Sequence, residues 1–187
     1  RFPDAEPEPP ILECTGLEPG TGVLFQRVGE GLFRAAVQAG THNSQVTLAI
    51  QHPRLEPYAE TLDVFQRGRG GVARVGELVI RADAQSAYGT LFVRASEQDV
   101  TPSPDLVSVG KGYRLWPGDA PVDAPLEISF PQPAGDAELS KVSLYRKSGS
   151  GWTRQETERT GGRLTIRTSS LGIFAPMADV VAPTITG

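Results

Sequence analysis

The chain has 187 residues and a formal net charge of −4, with 21 glycines, 16 prolines, one cysteine and two histidines. That length holds one large all-β domain or two small ones, and the acidic balance without a basic run argues against a nucleic-acid surface. A lone cysteine excludes an internal disulfide, and no stretch approaches the 18 or so consecutive apolar residues of a membrane-spanning helix.

Glycine and proline together are about a fifth of the chain, above the roughly 12% of average usage, and they are dispersed rather than periodic. Scattered breakers punctuate many short elements, which is an all-β signature. The opening residues 1–10, RFPDAEPEPP, carry prolines at 3, 7, 9 and 10 and read as an extended linker. They contain neither a methionine nor a basic-then-apolar signal pattern. From Ile11, apolar pairs alternate with turn signals at Glu18-Pro19-Gly20, Gly29-Glu30-Gly31 and Gly40, predicting strands at about 22–28 and 32–38. In SQVTLAIQ (44–51), Val46, Leu48 and Ile50 share one face, as in a half-buried strand. The stretch LEPYAETLDVFQRG fits helical spacing at Leu55, Tyr58, Ala59 and Leu62, yet Leu62 and Val64 alternate, and 60–66 reads as a strand. QRGRGG (66–71) reads as a hairpin tip.

Beyond Val72 the alternation sharpens. Leu78, Ile80 and Ala82 fall on one face, as do Leu91, Val93 and Ala95. Leu126, Ile128 and Phe130 are expected to point inward, with Glu127 and Ser129 outward. Val142 with Leu144, and Leu164 with Ile166, repeat the pattern, and SGSGW (148–152) and RTGGR (159–163) supply hairpin glycines. The last buried strand places Leu171, Ile173, Ala175 and Met177 on one face. Turn signals every 8–12 residues or so complete an all-β, antiparallel β-sandwich reading, as one or two sandwiches.

The run GYRLWPGDAPVDAPLEISFP followed by SLYRKSGSGWTRQETERTGGRLTIRTSSLGIFAPMAD resembles bacterial ZU5-like and Ig-like β-sandwich modules. Tyr113, Leu115, Pro125, Leu126, Ile128, Phe130, Trp152, Gly161, Gly162, Leu171, Gly172, Phe174 and Asp179 carry that resemblance. Upstream, Tyr88, Leu91, Phe92 and Val93 resemble the segment preceding this block in domains that accompany M23-type cell-wall metallopeptidases, although RADAQSA stands where that family often has an apolar-Pro pair. The resemblance covers residues 72–180 or so. The expected division is two small tandem Ig-like or ZU5-like domains, 11–70 and 72–179, after the 1–10 linker; the alternative is a single split sandwich, with strands of the first half completing the second. In such architectures DVVAPTITG would be a seam, so 180–187 is expected to enter a following Ig-like repeat, with Ala182–Ile185 as its first strand. Beginning on Arg1 and ending on an apolar run, the chain reads as a slice of a longer modular protein, secreted or at the cell surface or in the periplasm.

No catalytic constellation emerges. An M23 site needs a His-x-His pair, whereas His42 and His52 are ten residues apart and none follows; H-E-x-x-H and C-x-x-C are absent, so no metal and no cofactor are expected. Cys14 lacks a nearby base and reads as a small hydrophobe. Ser150 lies between glycines without the rest of a nucleophile elbow. Some ZU5-like relatives cleave themselves at a His-Phe/Leu-Ser step; TSSLGIF at the equivalent place has no histidine. Asp119, Asp123 and Glu127 read as solvated loop acids, and no D-x-D-x-D-G calcium loop occurs. The remaining candidates are aromatic. Trp116, Trp152 and Tyr145 are the candidate ligand-binding residues, because aromatic faces suit the apolar face of a sugar ring, and Trp116 beside Pro117-Gly118 is the one expected to be exposed. Packing in the core or at a sheet edge is the competing reading for each, and for Tyr113, which matches a core position of the family. The expected role is non-catalytic positioning of a catalytic or adhesive domain elsewhere in the parent chain. The alternative is a carbohydrate- or peptidoglycan-binding module. Expected partners are neighbouring domains of the same chain and cell-wall polysaccharide, with no nucleic acid and no membrane span.

Overall fold

The computed structural model describes residues 11–16, 24–29, 32–36, 44–52, 55–118, 120–133 and 139–180. The linker at 1–10, the seam at 180–187 beyond Val180, His42 and Asp119 lie outside them. The described residues are strands and turns, with a single short 3₁₀ turn at Leu139–Lys141. The fold is all-β and antiparallel. The chain divides into two compact units, Arg1–Val64 and Phe65–Gly187.

The first unit contains β1 (Ile11–Thr15), β2 (Leu24–Gly29), β3 (Leu32–Ala36), β4 (Gln45–His52) and most of β5 (Leu55–Gln66). β4 pairs antiparallel with β1 on one side and with β5 on the other, and β2 and β3 form a separate hairpin with a bulge between Arg27 and Gly29. The whole of Leu55–Gln66 is strand, which settles the ambiguity of that segment. Helical spacing lost because β4 offers a complete ladder, reinforced by Gln45 donating to Asp63 at 3.0 Å and by the Thr47–Thr61 hydroxyl pair at 2.9 Å. Val46 is buried, while Leu48 and Ile50 are half-buried. Strand β1 was not singled out from the sequence.

In the second unit the remaining strands are β6 (Gly71–Val75), β7 (Leu78–Ala82), β8 (Thr90–Gln98), β9 (Leu106–Ser108), β10 (Gly112–Trp116), β11 (Leu126–Pro131), β12 (Val142–Ser148), β13 (Gly151–Arg154), β14 (Glu158–Thr160), β15 (Arg163–Thr168) and β16 (Ile173–Asp179). One sheet runs β14–β15–β11–β7–β6. The other runs β8–β10–β16–β12–β13, with β9 paired to the far end of β16. The two sheets pack face to face as a sandwich. Ile80, Leu126, Ile128, Phe130, Leu164 and Ile166 of the first meet Val93, Tyr113, Leu115, Val142, Leu144 and Phe174 of the second in one buried cluster. The predicted inward residues of β7, β8, β11, β12 and β15 all face this core, as a period of two requires.

QRGRGG is the hairpin turn expected. Gln66 and Gly70 bridge, and the Gly68 amide donates to Ala84 O at 2.7 Å. Gly70 has φ +76°, and a Cβ there would run into the Ala82 carbonyl oxygen, so neither the conformation nor the space admits a side chain. The SGSGW and RTGGR turns join β12 to β13 and β14 to β15.

Two alternations depart from expectation. Ser129 points away from the core yet is only 3% exposed, because Arg163 lies over it and donates to its hydroxyl at 2.7 Å and to its carbonyl at 2.8 Å. At the last strand, Leu171, two residues before β16, does not share a face with Ala175 and Met177. Leu171 and Phe174 enter the inter-sheet core, whereas Ala175 and Met177 join a second cluster on the other face. Gly172, at φ +136°, breaks the alternation between them.

Candidate functional site

The three candidate aromatics lie on one surface, the face of the β8–β13 sheet turned away from the sandwich core. On β10, Tyr113 and Leu115 point inward, so Arg114 and Trp116 point outward. On β12, Val142 and Leu144 point inward, leaving Tyr145 and Lys147 outward, and the register sets Lys147 opposite Trp152 on β13. Alternation across four strands brings together residues up to 36 positions apart.

That face is covered at one end. Residues 99–106 cross it, and Val100 and Leu106 pack with Trp152 on Tyr145, Ala175 and Met177. Trp152 donates its indole N–H to the Thr101 carbonyl at 3.0 Å, fixing the crossing segment, and the Lys147 ammonium lies 5.0 Å from its ring centroid. Tyr145 is 5% exposed, and burial pushes its hydroxyl pKa up against the opposing pull of Arg154. Its ring packs in this cluster, and Trp152 is half-buried.

Trp116 is 53% exposed, as its place before Pro117-Gly118 suggested. Beside it is a depression of about 270 Å³ lined by Arg114, Gly118, Lys147, Gly172 and Ile173. Arg114 is opposite Ile173 in the ladder, and Arg94 stands opposite Trp116 on β8. The indole is thus edged by cationic side chains. Among the described residues no carboxylate lines the depression.

A second concavity, not signalled by the sequence, opens at one end of the sandwich. It measures about 430 Å³ and is lined by Glu77, Glu97, Lys111, Tyr113, Pro133 and Pro176 among others. The Tyr113 hydroxyl donates to Glu97 Oε1 at 3.1 Å, and its ring meets Phe130 edge-on with centroids 5.5 Å apart. Burial, then the Glu97 hydrogen bond, then the charges of Glu97 and Glu77 push the hydroxyl pKa up to about 12. At neutral pH the phenol therefore keeps its proton and acts as a donor, not as a base. Lys111 is paired with Asp99 at 2.8 Å, which lowers the Asp99 pKa and raises that of Lys111.

The remaining candidates sit apart. Glu127 is 3.5 Å from Arg81 and Asp123 is 3.9 Å from Arg67, both at exposed ion pairs. The Cys14 thiol is half-buried, and burial raises its pKa, away from thiolate chemistry. Among the described residues no group of three or more His, Cys, Asp or Glu side chains is placed to hold a metal ion, and no helix is long and apolar enough to cross a membrane. No protein-family model matches the chain, and no curated protein matches it.

Proposed function

We propose that this chain is a non-catalytic positioning module of a larger secreted or cell-envelope bacterial protein, built from ZU5-like or Ig-like sandwich units. One observation carries the reading: the buried serine and threonine side chains of the sandwich are engaged in holding it together. Ser86 bonds Asp83 and the Pro125 carbonyl, Ser129 receives Arg163 and Thr165, Ser143 receives Arg154, and Thr168 bonds Ser170. Groups satisfied in this way stiffen a module and are not poised for proton transfer. A stiff sandwich after a proline-rich segment restricts the angle at which its neighbours are presented.

A second reading, a carbohydrate- or peptidoglycan-binding module, has its own support in the exposed Trp116 ring beside a concave, cation-edged surface. Tryptophan fluorescence titrated with soluble peptidoglycan fragments and a panel of polysaccharides separates the two. A flat titration of a cooperatively unfolding protein favours positioning. Saturable quenching that Trp116→Ala removes favours binding.

A further inference from the structure

The row of side chains across the outer face suggests what such a ligand would be. Arg114 on β10 is opposite Ile173 on β16, and Lys147 is opposite Trp152 on β13. β12 pairs with β16 up to Arg146–Phe174, so Lys147 is the next outward position along and borders Ile173. The row therefore reads cation, aliphatic, cation, aromatic, and neighbouring strands are about 4.8 Å apart. From Arg114 to Trp152 it spans three strand intervals, on the order of 14 Å. Trp116 adjoins its open end, two residues beyond Arg114.

Three features constrain the occupant. The indole of Trp116 offers a flat apolar face that solvent reaches, and the adjoining depression of about 270 Å³ is the size of a single ring rather than of a folded partner. Its charged lining is cationic, although the chain as a whole is acidic. Behind the lining residue Gly172, on the inward alternation of β12, lies Arg146, which does not itself line the depression. Its Nη2 donates to the Leu171 carbonyl at 3.3 Å, while its buried Nε has no hydrogen-bond partner and lies 3.7 Å from where a Cβ on Gly172 would be.

We propose that the depression beside Trp116 is a subsite for an acidic sugar residue, whose apolar ring face stacks on the indole and whose carboxylate meets Arg114; the Lys147 ammonium is turned the other way, donating to the Ser150 carbonyl at 3.2 Å. This rests on the glycan-binding reading above. Stacking supplies the ring contact at little entropic cost to a rigid aromatic, and the Arg114 guanidinium selects the carboxylate through charge-assisted hydrogen bonds. A neutral sugar satisfies only the first contact.

The test uses the full chain with two matched polymers, polygalacturonate and its fully methyl-esterified form, with polyglutamate as a charge-only control. Binding is followed by tryptophan fluorescence and by calorimetry. Polygalacturonate is expected to bind saturably, at least about tenfold more tightly than the ester, and to weaken as salt rises. Trp116→Ala should abolish that binding, and Arg114→Gln should bring it down to the level of the ester. Circular dichroism and thermal unfolding establish that each variant is folded, and Trp116→Phe, which keeps a ring, should retain much of the binding if Trp116→Ala fails to fold. Equal binding of acid and ester, lost in Trp116→Ala, would overturn the acidic preference while leaving glycan binding in place. No binding of either polymer or of the wider panel would remove both. Polyglutamate binding as well as polygalacturonate, or acid binding that survives loss of the Trp116 ring, would also overturn the proposal.

Discussion

The two faces of the β8–β13 sheet bury their residues by different means. The inner face, with Val93, Leu115, Leu144 and Phe174, is covered by an entire second sheet, so its apolar positions interlock along every strand. Among the described residues the outer face is covered where residues 99–106 cross it, and there Tyr145, Ala175 and Met177 are buried like the core. A few strands away Trp116 stands in solvent. The same alternation thus produces core, covered patch and open surface, and what decides between them is which other part of the chain arrives.

This contrast makes a graded set of expectations for stability. Phe174→Ala removes a fully buried ring from between the sheets and is expected to destabilise by about 3–5 kcal/mol, read by urea unfolding. Met177→Ala, under the crossing segment, should cost less, about 2 kcal/mol, because a loop collapses into a cavity more easily than a paired sheet does. A Met177 variant as damaging as the Phe174 one would mean that the crossing segment is as rigid as a sheet.

Tyr113→Phe keeps the ring against Phe130 and deletes the hydroxyl bond to Glu97, for an expected loss of about 1 kcal/mol at neutral pH. It also has a pH signature. The folded pKa of Tyr113 is near 12, above the unfolded value of 10.0, so the stability linked to its proton is complete below pH 10 and is lost as pH rises toward 12. Relative to the Phe variant, the natural protein should weaken across that window, and ultraviolet titration should show one phenol ionising late. Identical alkaline profiles would mean that burial and the Glu97 bond do not raise the Tyr113 pKa in the folded protein. The smallest effect is expected at Trp116→Ala, within about 0.5 kcal/mol of the natural protein. A fall in melting temperature of several degrees would move Trp116 from the open surface to the covered patch.

Much of the fold was legible. Leu78, Ile80, Leu126, Ile128, Leu164 and Ile166 announce their strands because a sheet with one buried face writes a period of two into the sequence, and the glycines at 149, 161 and 162 mark the turns between strands. The short β9 and β14 were not legible, since three residues are too few to show a period. β16 misled for the opposite reason: Phe174 to Met177 are all buried, so alternation no longer separates its faces. Of the site, the tryptophans were visible by residue type. Their setting was not, because Arg114, Lys147 and Gly172 are ordinary residues until pairing sets them beside Trp116. The Tyr113–Glu97 cleft gave no signal at all, its members being scattered from Gly76 to Pro176.

By itself the sequence determined the class of fold, most strand positions and the absence of the familiar nucleophile and zinc motifs, because these depend on local alternation, turn chemistry and spacing. Trp116 beside Pro117-Gly118 is the aromatic the sequence expects to be exposed, and only the tertiary structure decided which of the others is covered. That choice depends on the path of residues 99–106 over the sheet, a long-range packing event in which Val100, Thr101 and Leu106 cover Tyr145 and Trp152 and stop short of Trp116.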